Sequence, residues 1–491
     1  GGGNYKLMQL LHWDLDIEMD KSEQVSNWAA AQLTQSQLDY AYLDADRTWR
    51  LWNYWSDQAD ADHWRCMAMF DNMVPAVIEM EETGIMLDVK QHKKLVKHWQ
   101  VIKDEKTAAI RDMVSEDEVV KITSDAQWSD YFARNMPDSF LKGWPRTEKT
   151  GQLSMRGETL RKLAGAAPGT PLETFFDTLA DFKTISKYLS SFGDSLTKKA
   201  ELTKDKRIRA RFNIGAAKTG RFSSSGPNLQ QIPRDKELLG EHTSVRKSFV
   251  AGIGRKLVSL DYSGIELRVL ALLSDDDQLL QDMVEGDIHS EVATRITGRT
   301  ITKDSCKTNK DDKAARSAAK GVSFGIIYGS GAAGLAVNMR TSLDNAQGYI
   351  DFWADRYPNA FNLRYEVMDE VSRTKFIRMV DGGTVYMGAK PDLPKCSNYP
   401  VQRAALALLA RAIVRHKHSL DALRERGRHR LTAFIASIHD ALIDEAASAD
   451  CEELLKIMED DMVQGYLDVF PGAPIDNLVE GGIGPNWGEL D

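Results

Sequence analysis

The stretch 256–268, Lys-Leu-Val-Ser-Leu-Asp-Tyr-Ser-Gly-Ile-Glu-Leu-Arg, constrains the fold of this chain more than any other. An apolar run of strand character ends on Asp261, and helical spacing starts at once with Ile265, Leu267, Val269, Leu270, Leu272 and Leu273. A strand that feeds straight into a helix sets Asp261 beside a helix N-terminus. A carboxylate there suits a metal ion lying next to a polyphosphate. It equally suits plain capping of the following helix, so this stretch alone leaves both roles open.

The 491 residues give room for about two to four domains or subdomains. A hydrophobic share of 42% and a charged share of 27% are ordinary for a globular chain. The most continuous apolar helix candidate, 404–414, is too short for a membrane span and is interrupted by Arg411. No signal peptide is visible, and the opening Gly1-Gly-Gly reads as a scar or a cut end. Cys66, Cys306, Cys396 and Cys451 lie scattered, without a CxxC or a paired His, which points to a reducing compartment and no structural zinc. The net charge of −9 hides an asymmetry: residues 183–256 hold 17 Lys and Arg against 6 Asp and Glu, so about +11 sits there and about −20 elsewhere. The run 204–211, Lys-Asp-Lys-Arg-Ile-Arg-Ala-Arg, points toward a phosphate backbone, the alternative being a solvated charged face.

Four further features carry chemistry. Residues 218–233, Lys-Thr-Gly-Arg-Phe-Ser-Ser-Ser-Gly-Pro-Asn-Leu-Gln-Gln-Ile-Pro, contain no acid and too much Gly, Ser and Pro for a helix. Arg221, Asn228, Gln230 and Gln231 there suit phosphates and base edges, unless the stretch is a polar connection. Arg316, Lys320, Phe324 and Tyr328 recur every four residues, a step of about 40° around a helix, so they share one slowly twisting face. Two cations followed by two aromatic rings suit a nucleotide, though such a stripe can also be plain surface. The stretch 433–445 reads as two short strands hinged at His439-Asp440, where Asp440 is a second metal ligand or a turn residue. Finally, 35–44 reads as a helix with Tyr40 and Asp44 on one face, a pair that can orient a metal-bound water or be structural.

In this order the motifs resemble those of a family A (DNA polymerase I-like) DNA polymerase, from about residue 75 to the end, in a compact form similar to phage or bacterial members. The stretch 20–28 followed by 38–44 resembles the last third of a DEDD-type proofreading 3′–5′ exonuclease domain. That family's upstream Asp-x-Glu and second Asp are absent. Asp16-Ile-Glu18 imitates the first motif but lies where the family has no catalytic acid, so this chain alone is not expected to proofread.

The resemblance implies an α+β multidomain fold, a right-hand polymerase with palm, fingers and thumb behind an N-terminal remnant of a ribonuclease H-like domain. Its expected parts are the remnant at 1–60, a lead-in to the palm at 61–99, a thumb at 100–215, palm at 216–275, fingers at 276–378 and palm again at 379–491. It implies addition of deoxynucleoside triphosphates to a primer 3′-OH on a DNA template, with release of pyrophosphate. Asp261 and Asp440, with the Tyr262 carbonyl, would hold two Mg2+ ions, for which Mn2+ can substitute. Arg316, Lys320 and His289 would hold the triphosphate, Lys320 acting as general acid. Phe324 would face sugar and base, and Tyr328 the templating base. Glu266 would exclude a ribose, although Ser263-x-x-Glu266 is also a capping box. Arg221, Asn228, Gln230, Asn398, Gln402 and His439 would contact the primer–template.

Three positions depart from the family pattern. Ala441 replaces the Glu of His-Asp-Glu, Arg403 replaces a Gly after Gln402, and Pro394-Lys395 stands where an Arg is usual. The implied setting is the cytoplasm of a bacterium or phage-infected cell, with an organelle as the alternative and no membrane partner. A processivity factor or a separate exonuclease-bearing piece remains open as a partner. The rival readings are a single-subunit RNA polymerase, against which Glu266 and the 218–233 loop speak, and a catalytically inactive primer–template clamp, against which the retention of both aspartates speaks.

Overall fold

The computed structural model describes residues 6–114, 120–215, 217–233, 244–339, 341–388 and 390–490. The Gly1-Gly-Gly start and two cations of the basic segment, Arg234 and Lys236, lie outside these. At the centre is an antiparallel sheet of four strands, β1 (Arg255–Tyr262), β2 (Ala433–Ile438), β3 (Ala441–Ala447) and β4 (Val479–Gly484), in the order β4-β1-β3-β2. Leu257, Val258, Leu260, Phe434, Ile435, Leu442 and Ile443 are all buried, which explains why these strands read as apolar runs rather than alternations. The helix Cys451–Leu467 packs on β1, β3 and β4, and the helix Ala61–Thr83 packs on β2. The long helix Leu393–Glu425 packs against both of those helices. Its Ala404–Ala412 face is buried, as its Ala and Leu content predicts.

Register brings the two distant acids together. Asp261 lies opposite Ala441 on β3 and opposite Glu480 on β4. Asp440, the residue before Ala441, therefore sits at the same end of the sheet, in the two-residue turn between β2 and β3. The first turn residue, His439, takes φ 56°, a left-handed conformation that such hairpin turns require. The step from β1 into the helix Ile265–Leu273 uses Gly264 at φ 59° as its N-cap. The capping box expected at Ser263 therefore does not form: the helix starts one residue later, and Glu266 is left to point elsewhere. The same helix is tied down by Arg268, fully buried, which donates to the Pro474 and Asp476 carbonyls at 2.9 and 2.8 Å.

The segment expected to be the thumb is helical around a core of its own. Trp128, Phe132, Trp144 and Phe176 pack ring on ring between Asp125–Asn135, Gly157–Gly165 and Pro171–Phe192. The segment expected to be the fingers is a run of helices up to the hairpin Phe376–Arg378 with Thr384–Tyr386, so the expected boundary at 378/379 cuts that hairpin. At the N-terminus the helices Leu7–Leu15 and Gln35–Ser56 bury only Leu11, Gln37 and Leu51, and leave Trp13, Trp49, Trp52 and Trp55 facing outward. No described helix is long and apolar enough to cross a membrane.

Candidate active site

A cavity of about 670 Å³ opens at the end of the sheet where β1 meets the β2–β3 turn. Nine of the residues singled out in the sequence line it: Arg221, Gln230, Asp261, Tyr262, Glu266, Lys320, Phe324, His439 and Asp440. Loss of water around Asp440 pushes its carboxyl up to about 6; Arg221 opposes that shift and Glu266 adds to it. A carboxylate in that condition is relieved by a cation placed against it. Among the described residues no cluster of three or more His, Cys, Asp and Glu could hold a metal by protein ligands alone. A Mg2+ site made of one or two carboxylates and completed by substrate phosphates and water fits this donor set.

Opposite the sheet lies the helix Lys310–Ile327, capped at its start by Asn309. It carries the predicted stripe, with Tyr328 as its C-cap. The Phe324 and Tyr328 rings stack at 6.1 Å, and the Lys320 ammonium lies 5.7 Å from the Phe324 ring centroid. His289, in the first turn of Ile288–Thr297, faces Phe324 at 6.2 Å. Burial, reinforced by the nearby Arg316 and Lys320 charges, lowers its pKa to about 4, so its imidazole is neutral at pH 7.

Glu266 joins the two walls. One carboxylate oxygen accepts from Arg221 Nη2 and the other from the Tyr328 hydroxyl. Burial and Glu266 together raise the Tyr328 pKa, which keeps the phenol a donor. Tyr328 therefore meets the cavity through Glu266 rather than by lining it. The end of the stripe helix is fixed by Ser397 Oγ, donating to the Ile327 carbonyl, and by Arg364, donating to the Ile326 carbonyl at 3.3 Å.

Some expected residues are engaged elsewhere. Arg316 forms a two-pronged ion pair with Asp287, at 2.6 and 2.9 Å, so its charge is neutralised in this state. Asn228 caps a short turn by accepting from the Gln230 amide at 3.1 Å. Asn398 and Gln402 stand on the long helix outside the cavity lining. In the basic run, Arg207 donates to the buried Glu445, whereas Arg209 pairs with Asp205 at the surface and Lys204, Lys206 and Arg211 face outward. The physical reason for Arg207 is reach: its guanidinium finds a carboxylate buried inside the protein. Lys395, noted as an adjacent cation, pairs with Asp392.

Sequence reasoning missed Asp287, although it lies in the quoted Gly-Asp-Ile-His stretch. It also missed Arg246 and Trp487, which line the cavity with the guanidinium 4.7 Å from the indole centroid, and Glu480, brought there by pairing with Asp261. Charge could have flagged Asp287, Arg246 and Glu480, and nothing short of packing could have flagged Trp487; the place of all four follows from packing.

Residues 89–489 match the family model for DNA polymerase family A. The chain belongs to that family. Residues 2–59 match a 3′–5′ exonuclease model, a short stretch of such a domain. Among similar proteins, the DNA polymerase I of Chloroflexus aurantiacus is 30% identical over 467 residues, covering 92% of this chain and 46% of that protein. The thermostable DNA polymerase I of Thermus aquaticus is 31% identical over 356 residues, covering 70% and 39%. This family A chain thus spans less than half the length of these curated relatives. The fold is shared with a solved structure, the POL domain of Pol1 from M. smegmatis in complex with DNA primer-template and dNTP. The TM-score is 0.76 at 22% identity, covering 99% of this chain and 80% of that one.

Proposed function

We propose that the cleft catalyses template-directed addition of deoxynucleotides to a primer 3′-OH, with release of pyrophosphate. The observation that carries this reading is the convergence of Asp261 and Asp440 on one cavity that also contains Lys320, Phe324 and Glu266. A family A relative in fold that was solved with primer-template and dNTP supports the same substrates here.

Asp261 and Asp440, with the Tyr262 carbonyl, would hold the divalent ions, Mg2+ first and Mn2+ as a substitute. When bound, those ions make the primer hydroxyl a better nucleophile and stabilise charge on the leaving pyrophosphate. The protein's own groups do the rest. Lys320, exposed on the stripe helix, binds the triphosphate and donates a proton to the departing pyrophosphate oxygen. Arg316 joins it after leaving Asp287. Neutral His289 contributes a hydrogen bond rather than a charge. Phe324 supplies a flat face for sugar and base. Glu266, clamped by Arg221 and Tyr328, presents a fixed carboxylate edge that a ribose 2′-OH meets and a deoxyribose does not. Arg221, Asn228, Gln230, Asn398, Gln402 and His439 form the primer–template side, where minor-groove acceptors are nearly independent of sequence.

Primer extension with Asp440→Asn tests the reading. Extension is expected to be lost while primer–template binding persists. Extension at the wild-type rate in magnesium would overturn the metal role of Asp440, and with it the proposed reaction at this cavity.

A further inference from the structure

Arg403 stands where the family pattern has a glycine, and it is buried to 6% exposure in the long helix. A buried guanidinium at a glycine position is a large local change, and its five donors must be met. Four of them are met, by three separate segments. Nε and Nη2 approach Asp381 Oδ2 at 2.8 and 2.6 Å, in the turn between the two strands of the 376–386 hairpin. Nη2 donates to Cys66 Sγ at 2.9 Å, and the guanidinium lies 4.8 Å from the Phe70 centroid, both on the helix Ala61–Thr83. Nη1 donates to the Thr219 carbonyl at 3.3 Å.

That last contact reaches the active site. Thr219 is two residues before Arg221, which holds Glu266. The intervening Gly220 adopts φ 81° and passes so close that a Cβ there would lie 2.0 Å from Arg403 Nη1. The backbone carrying Arg221 is therefore in direct contact with the Nη1 end of the Arg403 guanidinium. The fork itself is fixed by the Asp381 ion pair, itself buried, so its position does not depend on substrate.

We propose that Arg403 is a positioning residue for sugar choice: it sets the 219–221 backbone so that Arg221 meets Glu266 in one geometry. The inference rests on the reading of Glu266 as the residue that excludes a ribose.

The test uses the whole chain and reads the ratio of deoxynucleotide to ribonucleotide incorporation, together with Tm and primer–template Kd. Arg403→Lys keeps the charge beside Asp381 but has no fork to reach Thr219. It is expected to lower the ratio about tenfold, the worth of one charge-assisted hydrogen bond. Placed on Glu266→Ala, it should lower the ratio no further, because both act on one link. Cys66→Ala removes only the thiol contact and should leave the ratio unchanged. If Arg403→Lys does not fold, the pair Arg403→Met with Asp381→Leu removes the ion pair without stranding a buried charge and carries the same expectation. A folded variant with an unchanged ratio, or an effect that adds to Glu266→Ala, overturns the proposal. A Glu266→Ala chain that discriminates like wild type overturns instead the reading of Glu266. The role of Arg403 is then decided by Kd: Arg403→Lys weakens primer–template binding as Arg221→Ala does, or the positioning claim falls.

Discussion

Asp440 and Lys320 line the same cavity but are held by opposite means. Asp440 sits in a two-residue turn between strands whose neighbours, Ile438 and Leu442, are buried, at the end of a sheet covered by helices. Lys320 is exposed on a helix fastened on both sides of it, by the Asp312–Arg299 and Arg316–Asp287 ion pairs before it and by Ser397, Arg364 and the Tyr328–Glu266 bond after it. Arg316, one turn earlier, is held by an ion pair with Asp287, which it would give up in the proposed phosphate-binding role. The sheet wall presents charges whose position is fixed by packing. The helix wall presents charges whose partners can be exchanged. The reaction proposed above, in which a triphosphate is gripped and released at each cycle between carboxylates kept in register, would use both.

The comparison can be broken most severely at the sheet wall. Asp261→Asn should reduce extension on the order of 10³-fold, since several kcal/mol of charge stabilisation are removed at a position nothing can move into. A single-turnover rate within tenfold of wild type would deny the sheet wall its role. On the helix wall, Lys320→Ala should cost about 10²-fold, the lower range for loss of a general acid, with a flattened pH–rate profile on the alkaline side. An unchanged profile would assign Lys320 to binding alone.

The rigidity of the sheet wall has its own test in His416, fully buried between Asp444 of β3 at 2.7 Å and Asp461 at 3.0 Å. Although burial disfavours its charge, the two carboxylates push its pKa up to about 10. A folded pKa above the unfolded value of about 6.5 makes this contribution complete below pH 6.5 and lost as pH rises through 10. His416→Gln should therefore cost about 3 kcal/mol in denaturant unfolding at pH 7, with a smaller gap to wild type near pH 10. A gap that stays constant across this range would show that the histidine is not held charged. The smallest effect is expected at Asp287→Asn, which releases Arg316: KM for the incoming nucleotide should fall by about threefold, below the worth of a full charged hydrogen bond. A rise in KM would mean that Asp287 orients Arg316 for its task instead of competing for it.

The strand–turn–helix at 256–268, the hairpin at 433–447 and the four-residue stripe were legible because each depends on the periodicity of residues close in sequence. Their order was enough to suggest the family and to name nine residues of the cavity lining. The capping box at Ser263 failed for a local reason, since Gly264 could take the left-handed conformation and begin the helix later. One cation of the basic run turned inward for a distant reason: Glu445, more than two hundred residues away, claims Arg207.

By itself the sequence determined that Asp261 ends a buried strand, that Asp440 sits in a hairpin, and that two cations and two rings share a helix face. Tertiary structure alone decided that Asp261 and Asp440 share a cavity, that Glu266 is gripped by Arg221 and Tyr328, that Arg316 is held by Asp287, and that Arg403 lies under the Gly220 backbone. Periodicity follows from backbone geometry and can be read along the chain. The choice of partner for a charge depends on which opposite group the packed core brings within about 3 Å, and sequence neighbours do not encode that distance.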